Sequence, residues 1–185
     1  MPINSFQQAR EKYRPANIKV LFITEAPPAE ERNRYFYYEH VRRGDSLFME
    51  IIKVLFPEEV EAFETVKAIR REKTYFLERL QEEGYYLIGA VDEPLPGKSS
   101  AARTHIYREN LPALMKEILG LARPNTPIVI ISAVVYRAIG ETLKASGFQI
   151  IHNEIIEFPN SGQQINFRRK LKPLLRERQL LPSPI

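Results

Sequence analysis

Apolar residues occur along the chain in two patterns, short continuous runs and longer stretches with helical spacing. Ile18 to Thr24 is a continuous run rich in β-branched residues, and a proline pair follows it closely. Such a run is typical of a strand that is buried on both faces of a sheet. Similar runs predict strands at Tyr85 to Val91 and Pro127 to Ser132, and a short fourth strand at Phe148 to His152.

The stretches between these runs predict helices, because their apolar residues recur every three or four positions. Asp45 or Ser46 precedes the first stretch as a candidate N-cap, Pro57 ends it, and the next stretch has a candidate break near Lys73. The predicted helices cover Ser46 to Leu55, Glu58 to Glu83, Asn110 to Leu121, Val134 to Gly147 and about Gln163 to Arg178. Asp92 to Thr104 is rich in Pro, Gly and Ser, which predicts a surface loop.

Strands that alternate with helices predict an α/β fold, here a three-layer sandwich in which helices flank a four-stranded, mostly parallel sheet. The length of 185 residues suits a single domain over 1–185, with its core at about 18–175 and a loose tail at 179–185. Ligands of such sheets bind beyond the carboxyl ends of the strands. We therefore expect the functional site around Glu25 and the loop at 158–162.

The composition narrows the chemistry that the chain can perform. The sequence has no cysteine, which excludes disulfides, thiolate zinc sites, cysteine-ligated iron–sulfur clusters and a cysteine nucleophile. Its three histidines lack metal-ligand spacing, so we expect no metal and no other cofactor. A polar N-terminus and the lack of a run of roughly 20 apolar residues predict a cytoplasmic protein without membrane contact.

The charge balance is basic. The net charge of +4 and the pI near 9.3 suit a polyanionic partner such as nucleic acid. Enzymes that never contact nucleic acid carry a similar excess, so the charge alone does not choose between these classes.

Glu25 is the first candidate for chemistry, because it directly follows the most apolar strand. Its carboxylate is expected at the edge of the sheet in a partly desolvated place, which favours a functional role. That position suits a general base, a group that holds a water molecule, or an acceptor for the edge of a base. A helix-capping or salt-bridged carboxylate explains the position equally well.

Four aromatic residues, Tyr35 to Tyr38, follow the exit of the first strand. Aromatic rings beside a cleft of a basic protein can stack on nucleobases. Burial in the core is an equal alternative for Phe36, but four rings in one loop are hard to bury together. We therefore expect at least one of them to face the pocket or a partner.

The segment from Pro159 to Gln164 places small and amide residues where the last helix begins. Free backbone amides and the helix dipole at such a start can hold a phosphate. Arg168 and Arg169 follow on the same helix. An N-cap by Asn160 or Ser161 and a solvated basic face explain the segment equally well.

Taken in order, these segments resemble the uracil-DNA glycosylase superfamily. The run KVLFITEAPP resembles the first motif of its iron–sulfur branch, in which Gly-Glu-Ala-Pro-Gly follows the first strand, with Thr24 and Pro28 in place of the two glycines. FPNSG resembles the second motif, in which His-Pro-Ser begins a loop that enters the DNA minor groove beside the extruded nucleotide. YYLIGAVDEPLP resembles the strand that reads uracil. The resemblance covers most of the chain, from about Ile18 to Leu175.

The resemblance implies a role for each matched residue. Glu25 is the implied catalytic residue. The implied contacts of the base are Ala26, Pro27, one of Tyr35, Phe36 and Tyr37, and also Asp92 and Phe158. The implied contacts of the nucleic-acid backbone are Pro159, Asn160, Ser161, Gly162, Gln163, Arg168 and Arg169.

The chain departs from the family pattern at positions that bear on activity. Phe158 stands where the family has its catalytic histidine, and Gly89 or Ala90 stands where an asparagine binds uracil. The cysteines of the iron–sulfur branch are absent from the sequence. An apolar ring cannot stabilise a developing uracil anion, and the loss of one such donor costs about 3 to 4 kcal/mol by analogy with oxyanion holes.

Several functions therefore stay open from the sequence. The first is a divergent uracil-DNA glycosylase-like protein that binds DNA or a nucleobase, with excision of a damaged base as its enzymatic form. The second is a catalytically inactive nucleic-acid-binding or interaction module of the same fold. The third is a hydrolase of small nucleotides.

Overall fold

The sheet of this protein has three parallel strands. A computed structural model describes residues 5–29 and 32–183. The strands are β1 (Val20–Thr24), β2 (Tyr85–Gly89) and β3 (Ile128–Ile130), in the order β2-β1-β3. All residues of the central strand β1 are buried, which explains why its sequence is continuously apolar. The fold is α/β, with helices flanking a parallel sheet.

Helices connect and cover the strands. The helices are α1 (Ser5–Lys12), α2 (Ser46–Leu55), α3 (Pro57–Glu61), α4 (Val66–Arg71), α5 (Lys73–Glu83), α6 (Ser100–Glu109), α7 (Leu111–Leu121), α8 (Ala133–Val135), α9 (Glu141–Ala145) and α10 (Gln164–Glu177). A π-helical turn, Tyr136–Gly140, joins α8 to α9. α2 packs against α10, α5 against β2, and α6 against the π-helical turn. Within 5–29 and 32–183, every helix is too short or too polar to cross a lipid bilayer.

The segment at 148–152 differs from the predicted fourth strand. It approaches β3 through an isolated bridge between Ile150 and Ile128, and Ile156, further along the chain, forms another with Ile131. The backbone amide of Ile130, which a fourth strand would bind through a carbonyl, donates instead to Nε2 of His152 at 2.9 Å. The imidazole therefore interrupts the ladder, and the sheet ends at β3.

The single helix predicted over 58–83 is divided into α3, α4 and α5. Thr65 has an extended backbone, and its hydroxyl accepts a hydrogen bond from the amide of Ala68 at 3.1 Å, so that a new helix begins there. The apolar spacing was misleading at Val66, whose side chain is 45% exposed. Glu72 leaves the helical conformation before α5 begins, close to the break that was expected near Lys73.

Two helices occupy segments that were not predicted to be helical. α1 buries only Phe6 and Arg10 among its residues, which is too few apolar positions for a helical period to be visible in the sequence. α6 begins at Ser100, inside the predicted surface loop, because the hydroxyl of Ser99 caps it by accepting a hydrogen bond from the amide of Ala102 at 3.2 Å.

The segment at 179–183, predicted to be loose, is attached to the sheet. The carbonyl of Leu180 accepts a hydrogen bond from the Tyr85 hydroxyl, and the carbonyl of Leu181 accepts one from Nζ of Lys19 at 3.0 Å. Both leucines are half-buried. The remainder of the predicted tail, 184–185, lies outside the described residues.

Candidate functional site

A cavity of about 360 Å³ opens at the carboxyl ends of β1 and β2. Several segments that are distant in the sequence meet there, because the parallel strands end at the same edge of the sheet. Its lining comprises Thr24 to Pro28 after β1, Gly89, Val91 and Asp92 after β2, Arg34 to Phe36, Gly44 to Phe48 at the start of α2, Phe6 of α1, Leu87 of β2, and Phe158 with Asn160.

Many of the residues singled out in the sequence line this cavity together. They are Glu25, Ala26, Pro27, Tyr35, Phe36, Asp92, Phe158 and Asn160. The carboxylate, the aromatic rings and the amide-bearing loop therefore share one cavity, as the sequence reasoning required. The other candidates from the last loop and helix lie elsewhere.

Glu25 is held by two hydrogen bonds. Its Oε2 accepts a hydrogen bond from Nη1 of Arg103 at 2.7 Å, and its Oε1 accepts one from Oγ of Ser132 at 2.7 Å. The Glu25 and Arg103 side chains are each 25% exposed. The salt-bridged alternative is thus what the structure contains, while the carboxylate still lines the cavity and retains lone pairs that can accept from a ligand.

The aromatic residues after β1 divide between the cavity and the core. Tyr35 and Phe36 line the cavity. Tyr37 is buried in the core, where its hydroxyl donates to the Leu87 carbonyl at 3.1 Å and accepts from the Leu87 amide at 2.8 Å. The resemblance implied Tyr37 as one of three candidate base contacts, whereas in the structure its hydroxyl anchors the loop to β2.

The ring of Phe6, on α1, packs against the aromatic residues that follow β1 and helps to bury them. Its ring lies 4.9 Å from that of Tyr35 in an edge-to-face arrangement and 5.9 Å from that of Tyr38 in a stacked one. α1 was not predicted from the sequence. The expectation that four aromatic residues are hard to bury together therefore did not include the ring of Phe6. Three of the four, Tyr35 to Tyr37, are in fact buried.

The start of α2 is a part of the cavity that the sequence reasoning missed. The Asp45 carboxylate was a candidate cap, but it binds Arg70, accepting from Nη2 at 2.6 Å and from Nε at 3.0 Å. Asp45, Ser46 and Leu47, at the start of α2, line the cavity, and the Asp45 side chain does not cap this helix. Arg34, also unforeseen, lines the same rim and packs over Gly44. In the sequence, the candidate N-cap at Asp45 or Ser46 indicated that a helix begins at this point of the chain.

A buried lysine lies behind the cavity wall. Lys73 is fully buried, its Nζ donates a hydrogen bond to the Tyr35 carbonyl at 3.4 Å, and it lies 4.6 Å from the centre of the Phe48 ring. Burial lowers the pKa of Lys73 to about 7, while the negative charge of Asp45 opposes that change. The backbone and ring that Lys73 contacts both belong to residues that line the cavity.

Asp92 faces the cavity and also binds α1. Its Oδ2 accepts a hydrogen bond from Nε2 of Gln7 at 2.8 Å, and its Oδ1 accepts one from Nη1 of Arg10 at 3.3 Å. The Arg10 side chain is 7% exposed and also binds Glu117 at 2.7 Å. Asp92 is thus positioned by its contacts with α1 and also lines the cavity.

The loop predicted to hold a phosphate is arranged differently from the expectation. Phe158 and Asn160 line the cavity, while Ser161 and Gly162 are exposed and both have positive φ angles, 46° and 88°. α10 begins one residue after Gln163, so neither candidate cap, Asn160 nor Ser161, occupies the N-cap position.

The remaining backbone candidates are distributed around this loop. Pro159 is buried, and Gln163 is half-buried and accepts a side-chain hydrogen bond from Asn166 at 3.1 Å. Arg168 forms a salt bridge with the buried carboxylate of Glu50 on α2, whereas Arg169 is exposed. Of the two candidate arginines, Arg168 therefore binds α2 and Arg169 faces solvent.

The two positions aligned with the asparagine of the resembled family, Gly89 and Ala90, are tightly enclosed. A Cβ atom at Gly89 would lie 2.5 Å from the carbonyl oxygen of Val91 and 3.1 Å from that of Glu25. Ala90 is fully buried, and its carbonyl accepts a hydrogen bond from Asn110 at 2.9 Å. The turn after β2 thus gives a physical reason for this departure from the resembled pattern.

Comparison of the chain with protein-family models and with curated proteins found no match.

Proposed function

We propose that this chain is a divergent uracil-DNA glycosylase-like protein that binds a nucleobase, supplied by DNA, in the cavity at the carboxyl ends of β1 and β2. One observation carries the proposal: Glu25, the rings of Tyr35 and Phe36, and the loop residues Phe158 and Asn160 line the same cavity. These residues come from the segments that resemble the family's motifs. Their meeting in one place is what a shared ligand requires.

The chemistry of the lining suits a flat ligand with apolar faces and polar edges. Phe36 and Phe158 supply apolar surface, on which a base can stack. Glu25 and Asp92 supply acceptors for the exocyclic amino and ring N–H groups of a base. The volume of about 360 Å³ lies at the small end of the range for ligand pockets, which favours a single base over a larger ligand.

Binding, rather than rapid excision, is the activity that these side chains favour. Phe158 cannot donate a hydrogen bond to a departing base, and Glu25 already accepts hydrogen bonds from Arg103 and Ser132. The lost donor corresponds to a rate reduction of about 10²- to 10³-fold. The open cavity argues against an interaction module that has lost the pocket, in which Phe158 and Tyr37 would fill this space.

The test is equilibrium binding of free uracil, thymine, cytosine and adenine by calorimetry, followed by a uracil-containing single-stranded oligonucleotide. We expect Asn160→Ala and Glu25→Gln to weaken binding of the preferred base by about tenfold each, which is the cost of one lost hydrogen bond. Asn125→Ala is the matched control, because Asn125 is an exposed asparagine outside the cavity. Unchanged affinity in both cavity variants, with an intact fold, would rule out this assignment.

Excision has its own test. Phe158→His restores the imidazole of the resembled second motif at the cavity wall, and we expect it to increase the rate of uracil release from DNA above that of the native chain. Phe148→His serves as the control, since Phe148 is also half-buried but lies outside the cavity lining. Equal rates in the two variants would show that the second-motif resemblance does not carry catalysis.

A small-molecule nucleotide is the second candidate ligand. The observation that favours it is that Ser46 and Leu47, at the start of α2, line the cavity together with Arg34. The amides of a helix start and a guanidinium group can both bind a phosphate. Tighter binding of a nucleoside monophosphate than of the nucleoside, lost in Arg34→Ala but kept in Arg178→Ala, would support this candidate. Equal affinity for nucleoside and nucleotide would favour the base-binding proposal.

A further inference from the structure

A second cleft, separate from the cavity, is lined almost entirely by polar and cationic side chains. We call it the basic cleft. One wall is the loop that carries His40, Val41 and Arg42, together with Asn33, and the other wall is α4 with Lys67, Arg70 and Arg71. The lining contains no carboxylate among the residues at 5–29 and 32–183.

The cations of the basic cleft repel one another. Arg70 and Arg71 lie three and four positions after Lys67 on α4, so these side chains share one face of that helix. Arg42 lines the opposite wall of the cleft. Within the described ranges, Arg42, Lys67 and Arg71 each lack a carboxylate within 4.0 Å. All three are exposed. An anion in the cleft would remove this repulsion.

Arg70 is fixed in a geometry that suits an anion. Its Nε and Nη2 donate to the buried Asp45 carboxylate at 3.0 and 2.6 Å. Its side chain is still 24% exposed, and Nη1 has no acceptor among the residues that the structure describes. One edge of the guanidinium therefore holds the ion pair while the rest faces the cleft, which lowers the entropy lost when an anion binds.

The end of a helix gives a simpler explanation for part of this charge, because cations are favoured near a helix C-terminus. That effect accounts for Arg70 and Arg71 in the last turn of α4. It does not account for Arg42, which comes from a different segment and meets them across the cleft. A bound anion would explain why cations from two separate chain segments meet in one cleft.

We propose that the basic cleft is a phosphate-binding site. Phosphate carries enough negative charge to be shared by several cations, and guanidinium groups match its oxygens in a two-point arrangement. The cleft and the cavity share a wall, since Asp45 lines the cavity and its partner Arg70 lines the cleft. The phosphate belongs either to a polynucleotide backbone or to a free phosphorylated molecule, and this inference stands even if the cavity binds no base.

Two probes separate these sources. Inorganic pyrophosphate presents phosphate without sugar or base, and a fluorescently labelled oligonucleotide of abasic tetrahydrofuran residues presents a phosphodiester chain without bases. We expect Arg42→Ala, Lys67→Ala and Arg71→Ala each to weaken binding of the responding probe by about fivefold to tenfold. For the oligonucleotide, each variant is expected to lower the slope of log K against log salt by about one per lost contact.

The control variants are Lys116→Ala and Arg178→Ala, which remove exposed cations outside the basic cleft. Variant-dependent binding of the abasic oligonucleotide, alone or with pyrophosphate, supports the site with a polynucleotide as the source. Variant-dependent binding of pyrophosphate alone supports it with a free phosphorylated ligand. Failure of both probes to bind, or equal weakening in cleft and control variants, overturns the proposal. Free-base binding to the cavity, measured in the same cleft variants, reports separately on the proposed function.

Discussion

Glu25 and Ser132 lie 107 positions apart in the sequence, yet Oγ of Ser132 donates a hydrogen bond to Oε1 of Glu25 at 2.7 Å. The bond joins the exits of the neighbouring strands β1 and β3. The same hydroxyl accepts hydrogen bonds from the amides of Val134 and Val135 at 3.1 and 3.3 Å, so it also begins α8. Ser132 therefore fixes a helix start and the orientation of the Glu25 side chain at once.

Ser132→Ala should lower the free energy of unfolding by about 2 kcal/mol, because it removes a buried cap and a donor to a carboxylate. Urea denaturation measures the change. Ser146→Ala is the control, since Ser146 is exposed, and it should change stability by less than about 0.5 kcal/mol. In the double variant with Glu25→Gln, the losses should be less than additive, since the two residues share a hydrogen bond. Full additivity would show that the contact is energetically neutral.

Arg70→Ala should be strongly destabilising, because it leaves the Asp45 carboxylate, which is 0% exposed, without its charged partner. Removing one member of a buried pair costs about 3 to 5 kcal/mol. Arg71→Ala, one position along the same helix and exposed, should cost less than about 0.5 kcal/mol. Thermal or chemical unfolding of both variants makes the comparison, and similar losses would contradict the assigned role of the Asp45 pair.

Gly89→Ala should destabilise the protein by about 2 kcal/mol or more, because the new methyl group would lie 2.5 Å from a backbone oxygen that cannot easily move. Gly120→Ala is the matched substitution in α7, where a Cβ would meet nothing within 4 Å. It should stabilise the helix by up to about 1 kcal/mol. Chemical denaturation of the pair tests the geometry of the turn after β2, and a neutral Gly89→Ala would show that the turn relaxes.

Lys73 should make stability depend on pH. Its pKa in the folded protein, lowered by burial to about 7, lies below the ordinary value of 10.5. The stability that the neutral amine contributes is therefore complete above about pH 10.5 and is lost as the pH falls toward about 7. At neutral pH the fold carries the cost of a buried charge.

Lys73→Met removes this cost and keeps an apolar chain of similar length. The variant should be more stable than the native protein near pH 7 by on the order of 3 to 5 kcal/mol, and the difference should shrink toward pH 10. Unfolding curves at several pH values measure it. Lys116→Met, at an exposed position, should show no such trend. A difference that stays constant from pH 7 to pH 10 would mean that Lys73 titrates normally.

Three of the four predicted strands are present, because a continuous apolar run is a local pattern that indicates a buried strand. Ile18 to Thr24 could only be a buried strand, and parallel strands place the residues that follow them at one edge of the sheet. Glu25, Asp92 and Phe158 were therefore expected near one another, and all three line the cavity. The helix starts at Thr65 and Ser99 depended on single side-chain caps, which apolar spacing does not reveal.

Tertiary structure alone decided what each candidate side chain does. From the sequence, Tyr35, Phe36 and Tyr37 were equal candidates for stacking on a base. Tyr37 differs from the other two because its hydroxyl binds the Leu87 backbone of β2. From the sequence, Glu25 could be a free carboxylate or a paired one. It is paired because Arg103 and Ser132, which come from distant segments, both donate hydrogen bonds to it. Local pattern indicates the strands that are buried on both faces and the edge at which they end. Partners across long sequence separations are set by packing, and no short-range signal encodes them.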